Sequence, residues 1–172
     1  GRTLREYEAF FAFHAGALAG RSVLDCGGGC ASAPGEMARA GIAVTACDPH
    51  YGRPRARLEQ RARADIANVM ERARRTRDAF VFTYFRDFDE VERLRYAALE
   101  GFLADYDDGL AASRYVRGAL PQLPFADDAF DLALCGHFLF LYAYQFDRAF
   151  HEAAVDELLR VAREVRLYPL RQ

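Results

Sequence analysis

The sequence Val23-Leu24-Asp25-Cys26-Gly27-Gly28-Gly29-Cys30-Ala31-Ser32 places a short β-rich run directly before three consecutive glycines. A helix-like segment at 32–40 follows the glycines, and a second apolar run at 42–47 follows that segment. This is the order and length of a strand–helix–strand unit, which connects two parallel strands. The sequence therefore predicts a βαβ unit with a glycine loop between its first strand and its helix.

The rest of the pattern extends this unit into a single α/β domain over residues 1–172. Helices are predicted at 4–18 and at about 146–163, and between the second and third strands residues 52–112 are predicted to form a helical insertion. The expected fold class is α/β, a Rossmann-like three-layer sandwich with a mainly parallel sheet. Its strands are predicted near 22–26, 43–47, 114–117, 131–135 and 164–168.

Composition narrows the classes of function. The net charge is −2 at pH 7, which gives no general attraction to nucleic acid or to anionic membranes. All 23 basic residues are Arg, which excludes Schiff-base and P-loop chemistry because both require a lysine. The apolar run 10–20 resembles a signal peptide but leads straight into a predicted strand, and no run reaches the roughly 18 to 20 apolar residues of a membrane span. We expect a cytoplasmic protein with no membrane or nucleic-acid partner.

The four cysteines do not form a disulfide or zinc pattern. They fall at predicted strand ends or in the adjoining loop, where a small apolar side chain suits buried packing. They lack the dense spacing of a secreted scaffold and the paired spacing of a zinc finger. We expect a reduced protein without a metal site. These cysteines are Cys26, Cys30, Cys47 and Cys135.

The helical insertion is divided by charge. Residues 53–77 contain nine Arg against three acidic residues, whereas residues 78–108 contain nine acidic residues against three Arg. The favoured interpretation is that the basic helix pairs with the acidic segment, and a phosphate-binding or nucleic-acid-binding face is the alternative. The aromatic run at 80–88 is expected to line the core or to form a lid that excludes water from a site.

A carboxylate at the end of the second strand indicates a nucleoside ligand. Asp48 follows the glycine run at close to the roughly 20-residue spacing at which a carboxylate accepts hydrogen bonds from ribose hydroxyls. The NAD fingerprint requires a glycine where this chain has Ser32. Asp25 would also repel a pyrophosphate, whereas it suits a cofactor that carries an amine or a sulfonium.

With its later motifs added, the chain resembles the class I S-adenosylmethionine-dependent methyltransferases over 23–170. Asp25, Gly27 and Gly29 match the acidic-x-Gly-x-Gly motif of that family, and the block Leu123-Pro-Phe-Ala-Asp-Asp-Ala-Phe-Asp-Leu-Ala-Leu-Cys135 is similar to its passage into the fourth strand. The resemblance implies that S-adenosyl-L-methionine is the cofactor and methyl transfer the reaction. It implies a cofactor site formed by Asp25, Gly27, Gly28, Gly29, Asp48, Pro49, Ala119, Leu120 and Cys135.

The chain departs from the family pattern in two places. The acidic residue that often binds adenine in the family has no counterpart in the region 117–120, so Ala119 and Leu120 would contact adenine as apolar walls. The family sheet ends in an antiparallel strand pair, for which no sequence remains after 164–168. That strand would be an exposed edge, and we expect a chain that is truncated at its C-terminus.

The methyl acceptor is expected beside the end of the fourth strand. Methyl transfer needs alignment and a dry pocket, and a base only where the acceptor must lose a proton. His137 and Tyr142 are the candidate catalytic residues, and Tyr144 lies nearby in the sequence. His14 and His151 lie in helical patterns and are expected to be structural. The strand end reads Cys-Gly-His-Phe rather than a Pro-Pro-Tyr motif of DNA amino-methylases, which disfavours DNA base methylation. Small-molecule, lipid or peptide acceptors remain, and we expect a small molecule.

The sequence is compatible with two other functional classes. One is a non-catalytic module that binds S-adenosylmethionine or another nucleotide. The other is an NAD-dependent oxidoreductase, which Ser32 and Asp25 disfavour. The oligomeric state and the acceptor are left open by the sequence.

Overall fold

In a computed structural model, residues 1–140 and 144–170 are described, and they fold around one five-stranded sheet. Two short 3₁₀ turns, Ala15–Leu18 and Arg77–Ala79, accompany the main elements. The strands are β1 Ser22–Cys26, β2 Ala43–Asp48, β3 Tyr115–Arg117, β4 Leu132–Gly136 and β5 Val165–Tyr168. The helices are α1 Leu4–Phe11, α2 Ala33–Arg39, α3 Arg55–Arg75, α4 Phe88–Ala111 and α5 Arg148–Val161.

The sheet is parallel throughout and has the strand order β3-β2-β1-β4-β5. All five predicted strands are present, and the predicted α/β fold with its parallel sheet is confirmed. The chain proceeds from β1 through β2 to β3 in one direction and then returns to place β4 and β5 on the other side of β1. Ligands of open α/β sheets bind in the crevice that such a reversal opens at the carboxyl ends of the strands.

Helices cover both faces of the sheet because the central strands are buried on both sides. Val23 and Leu24 of β1 have no exposed surface. On one face, side chains of α5 pack against β1 and β4, and on the other, α1 and α2 pack against the same strands. Apolar residues on both sides of a strand are typical of buried parallel sheets. Among the described residues, no helix has the length and apolar character needed to cross a membrane.

The first helix is shorter than predicted. A capping box formed by Thr3 and Glu6 starts α1, but the helix ends at Phe11 rather than continuing to residue 18. Ala12 adopts a left-handed conformation with φ of 52°, and its N–H donates to the carbonyl oxygen of Glu8. A separate 3₁₀ turn then carries the chain to β1. The apolar spacing that predicted a single helix is shared by these two elements, so the pattern alone does not reveal the break.

The insertion consists of α3 and α4, which pack against each other with their charges paired. Arg63 of α3 contacts Glu100 of α4 at 2.5 Å, and Arg74 contacts both Asp89 and Glu92, at 2.8 and 2.7 Å. The predicted pairing of the basic helix with the acidic segment is therefore confirmed. Exposed pairs of this kind contribute about 0 to 1 kcal/mol each, so the apolar contacts between the helices hold the insertion together.

The insertion packs against the rest of the domain through a close contact between α2 and α4. A Cβ atom on Gly101 of α4 would lie 2.8 Å from the Cβ of Ser32, and a Cβ on Gly35 of α2 would lie 2.7 Å from the Cγ of Asp105. Asp105 also accepts hydrogen bonds from Arg114, at 3.1 and 2.9 Å. The two helices approach each other at distances that any side chain larger than glycine would prevent.

Candidate functional site

A cavity of about 710 Å³ opens at the carboxyl ends of the strands, between the sheet and the insertion. Its walls come from the loops after β1, β2, β3 and β4 and from helices α3 and α4. The cavity is thus at the position expected for a ligand of an open parallel sheet. The predicted site residues that line it are Gly27, Gly28, Gly29, Asp48, Pro49, Ala119, Leu120 and His137.

The glycine loop lies directly on a buried carboxylate. A Cβ atom on Gly28 would be 2.2 Å from Oδ2 of Asp25, a distance that real Cβ atoms do not reach. Gly27 and Gly29 both have positive φ, at 76° and 55°, which glycine adopts without strain. The N–H of Gly27 donates to the carbonyl oxygen of Cys47 at 2.8 Å. The loop is therefore held between β1 and β2, with its backbone exposed to the cavity.

Asp25 forms the floor beneath this loop and does not itself line the cavity. Its side chain has no exposed surface, and its Oδ1 accepts a hydrogen bond from the hydroxyl of Tyr7 at 2.9 Å. Its Oδ2 is buried and has no hydrogen-bond partner among the residues that the structure describes. Burial raises the pKa of Asp25 to about 7, the Tyr7 hydrogen bond opposes that rise, and the charge of Asp48 adds to it. Asp25 is thus poised to interact with a positive charge above the glycine loop.

Asp48 faces the cavity from the end of β2. Its Oδ2 accepts a hydrogen bond from the N–H of Gly29 at 3.2 Å, and its Oδ1 accepts one from the N–H of His50 at 2.9 Å. Each carboxylate oxygen can accept a second bond, so the group can still bind ligand hydroxyls. The hydroxyl of Tyr51 donates to the carbonyl oxygen of Gly29 at 2.6 Å, which fixes the other side of the loop.

The wall beyond β3 is apolar and closely packed. Ala119 and Leu120 line the cavity, as predicted for an adenine contact. A Cβ on Gly118 would lie 2.7 Å from Sγ of Cys47, so the backbone crosses directly over the end of β2. Its N–H donates to the carbonyl oxygen of Asp48 at 3.4 Å. The β2 and β3 loops therefore form one continuous wall.

His137 follows β4 and lines the other end of the cavity. It has a φ of 56°, and its ring packs beside the stacked rings of Phe10 and Tyr168, at centroid distances of 5.3 and 5.2 Å. Burial, together with the charges of Arg2 and Arg95, lowers the pKa of His137 to about 3. The imidazole is therefore neutral at physiological pH and can accept a hydrogen bond, although it is a weak base.

The other predicted acceptor-side residues are placed differently. Tyr142 lies outside the described residues, and the Tyr144 side chain is 74% exposed. The ring nitrogens of His151 lie 2.7 Å from the carbonyl oxygen of Asp147 and 2.9 Å from that of Leu139. His151 thus contacts backbone groups at the start of α5, and His14 is exposed before the first 3₁₀ turn.

Cys26, Cys30 and Cys47 line the cavity, and Cys26 and Cys47 also belong to the apolar core. Cys135 is 2% exposed within the core and does not line the cavity. A hydrogen bond between Cys26 and Cys135, together with burial, raises the pKa of the Cys26 thiol. In residues 1–140 and 144–170, no three His, Cys, Asp or Glu side chains are grouped to hold a metal.

Among the lining residues that were not predicted from the sequence are Arg2, Tyr7 and Arg95. Arg2 precedes the N-terminal helix and Tyr7 lies within it, where the pattern indicates only packing. Arg95 lies three and four residues before the buried Ala98 and Leu99 of α4, so it occupies the apolar face of that helix. An arginine on an apolar stripe was the available signal for a buried charge.

Comparison with known proteins places the chain beside an archaeal relative. No model of a known protein family matches the chain. The chain is 30% identical, over 172 residues, to the uncharacterized protein MJ0045 of Methanocaldococcus jannaschii. The match covers 99% of this chain and 76% of that protein. An identity of this extent spans the sheet, the insertion and the cavity, and the chain therefore belongs to the family of the archaeal protein MJ0045.

Proposed function

We propose that the protein binds S-adenosyl-L-methionine and transfers its methyl group to a small-molecule acceptor in the cytoplasm. One observation carries this proposal. The glycine loop after β1 and the carboxylate of Asp48 meet through the hydrogen bond from the N–H of Gly29, at the edge where the strand order reverses. This arrangement offers a bare backbone to one part of a nucleoside ligand and a carboxylate to its ribose hydroxyls.

The charge around the loop favours a cationic ligand over a dinucleotide. Asp25 lies beneath the loop and Asp48 beside it, and each raises the cost of placing a pyrophosphate there. A sulfonium and an α-amino group, by contrast, would be attracted by both carboxylates. The two carboxylates therefore favour S-adenosylmethionine over NAD, in agreement with Ser32 in place of the third glycine of the NAD fingerprint.

The chain's own contribution to the reaction is alignment and desolvation. When bound, the cofactor would supply an activated methyl group on a sulfonium, with the neutral thioether as its leaving group. In the proposed mechanism, the loop 27–29 and Asp48 orient the cofactor, and the apolar wall at Ala119 and Leu120 excludes water from it. The neutral imidazole of His137 positions the acceptor by accepting a hydrogen bond from it, because its lowered pKa makes it a weak base.

The aromatic segment at 80–85 is the proposed lid. Tyr84 contacts the ring of Phe10 at a centroid distance of 5.6 Å, and Phe85 lies under the guanidinium of Arg95 at 5.7 Å. Phe80 and Phe82 are exposed to 48% and 37%, which is unusual for large apolar side chains. A segment that already contacts both α1 and α4 beside the cavity is well placed to close over a bound acceptor.

The cofactor site is tested by calorimetric titration of S-adenosylhomocysteine into the wild type and Asp48→Asn, with NAD titrated in parallel. Loss of charge-assisted hydrogen bonds costs about 1.5 to 3 kcal/mol, so we expect binding to weaken by about 10- to 100-fold. Asp107→Asn, an exposed carboxylate on α4, is the matched control and is expected to bind as the wild type does. Equal affinity of Asp48→Asn and wild type, or a preference for NAD, would contradict the proposal.

Turnover separates the enzyme from a module that only binds the cofactor. The protein is incubated with S-adenosylmethionine and a panel of small-molecule acceptors, and formation of S-adenosylhomocysteine is measured. Acceptor-dependent product that is lost in Asp48→Asn supports the enzyme. Tight binding without turnover for any acceptor supports the module.

A further inference from the structure

Three charged side chains meet in the cavity wall, and their charges do not sum to zero. Glu6 of α1 is 1% exposed and Arg95 of α4 is 6% exposed, and the two form an ion pair through Oε1 and Nη2. Arg2 adds a second guanidinium, whose Nε lies 3.8 Å from the same oxygen. One buried carboxylate therefore faces two guanidinium groups, which leaves one positive charge in excess.

Both guanidinium groups have hydrogen-bonding capacity to spare. The Nε atoms of Arg2 and of Arg95 are buried and have no hydrogen-bond partner among the described residues. Arg95 uses Nη1 to donate to the carbonyl oxygen of Gly1 at 2.5 Å and Nη2 for Glu6, out of five N–H groups in all. The Nε atoms themselves are closed to solvent, but Arg2 and Arg95 both line the cavity, where their remaining Nη N–H groups can donate to a ligand that supplies an acceptor. Burying charged groups that are incompletely paired is costly, and such a ligand would offset that cost.

Within the described part of the chain, the other carboxylates near the cavity form no ion pair with Arg2 or Arg95. Asp25 accepts from Tyr7, Asp48 accepts from the loop backbone, and Asp65 pairs with Arg61 at 3.6 Å. Within 1–140 and 144–170, Glu6 is the carboxylate that pairs with Arg2 and Arg95. The excess charge is therefore not compensated from within this part of the protein.

We propose that Arg2 and Arg95 form a carboxylate-binding subsite at the β4 end of the cavity, and that the methyl acceptor is an organic acid. Two guanidinium forks match the planar, two-oxygen geometry of a carboxylate. The naming of the acceptor rests on the proposed function, whereas the subsite itself does not. The amino-acid part of the cofactor also carries a carboxylate. The binding experiment distinguishes that carboxylate from one on the acceptor.

The surroundings of the subsite favour the acceptor as the source. Arg2 and Arg95 both act electrostatically on His137, which lies at the far end of the cavity from Ala119 and Leu120. Arg95 also lies over Phe85 of the proposed lid. Burial and the charge of Arg95 lower the pKa of Arg2 to about 10, which a bound anion would reverse.

The test uses three variants of the whole chain. Arg2→Met removes the excess charge and leaves the neutral pair of Glu6 and Arg95, so its fold is expected to survive, as a thermal melt will verify. Arg2→Lys retains the charge without the fork. Arg5→Met removes an exposed arginine of α1, three residues after Arg2, and is the matched control.

Each variant is titrated with two ligand pairs that differ in a carboxylate. S-adenosylhomocysteine is compared with 5′-methylthioadenosine by calorimetry, because the second lacks the amino-acid part. Benzoate is compared with its neutral analogue benzamide by NMR, in protein saturated with 5′-methylthioadenosine and in protein without it. We expect benzoate to bind the wild type at least about tenfold more tightly than Arg2→Met, with Arg2→Lys between them and Arg5→Met equal to the wild type.

The outcomes are distinct. Weakened benzoate binding in Arg2→Met, with both nucleosides unaffected, supports the subsite and assigns it to the acceptor. Weakened S-adenosylhomocysteine binding with unchanged 5′-methylthioadenosine binding supports the subsite but assigns it to the cofactor, which overturns the organic-acid acceptor. If Arg2→Met affects neither carboxylate, the subsite is refuted. If neither nucleoside binds the wild type, the proposed function fails, while the benzoate arm without nucleoside still decides the subsite.

Discussion

Substitution of Gly28 by alanine tests whether the glycine loop lies against a fixed carboxylate. The added Cβ would be 2.2 Å from Oδ2 and 2.9 Å from Cγ of Asp25. Asp25 is fully buried and bonded to Tyr7, so it cannot withdraw without losing that hydrogen bond. Either the loop or the carboxylate must move, and both belong to the core of the site.

The expected cost follows from two contributions. Overpacking of a closely packed site costs about 1 to 3 kcal/mol, and loss of a hydrogen bond to a carboxyl group costs about 1.5 to 3 kcal/mol. We expect Gly28→Ala to lower the free energy of unfolding by about 3 to 5 kcal/mol in total. For a chain of this length, that corresponds to a fall in Tm of about 6 to 20 °C.

The assay is urea unfolding followed by far-UV circular dichroism, with Gly16→Ala as the control. A Cβ on Gly16 meets no atom within 4 Å, so this variant is expected to stay within about 0.5 kcal/mol of the wild type. Because Asp25→Ala removes the atoms that clash, the double variant Gly28→Ala/Asp25→Ala should be no less stable than Asp25→Ala alone. A fixed carboxylate beneath the loop is refuted if Gly28→Ala unfolds at the same urea concentration as the wild type. It is also refuted if the destabilising effects of Gly28→Ala and Asp25→Ala add up in the double variant.

Two further predictions concern the pH dependence of stability. The pKa of Asp25 is raised from 3.8 to about 7, so the folded protein holds a proton that the unfolded chain releases, and stability falls as pH rises from about 4 to about 7. Relative to Asp25→Asn, the wild type should lose up to about 4 kcal/mol over that range in urea titrations. The pKa of His137 is lowered to about 3, so stability falls as pH drops from 6.5 towards 3. His137→Asn, which tolerates the positive φ, should abolish that fall, and an unchanged acid profile would contradict the burial argument.

The sheet was predictable because its signals are local. Each buried strand is a short apolar run that ends at a glycine, a proline or a charged residue, and strands β1 to β5 lie within a residue or so of their predicted bounds. The glycine loop and Asp48 were predictable for the same reason, since the topology of a βαβ unit brings the ends of β1 and β2 to one edge. Gly29 and Asp48 are 19 residues apart in sequence and joined by one hydrogen bond.

The parts of the site that were missed depend on distant contacts. Arg2 and Arg95 meet at Glu6 because α4 folds back over the N-terminal helix, and no spacing in the sequence encodes that crossing. The side chain of Cys135 was expected beside the cofactor, yet the alternation of β4 directs it into the core. The end of α1 was misplaced because one alanine adopts a left-handed conformation that its identity does not indicate.

The glycine contacts between α2 and α4 determine how the insertion can diversify. Gly35 and Gly101 hold α4 against the helix that starts after the glycine loop, so the insertion shares its packing with the most restricted part of the domain. Transfer of α3 and α4 as a unit from one relative to another would therefore disrupt the contact between α2 and α4. New ligand specificities in such a scaffold should instead arise by substitution along the segment 80–87, which lies between the two helices and outside that contact.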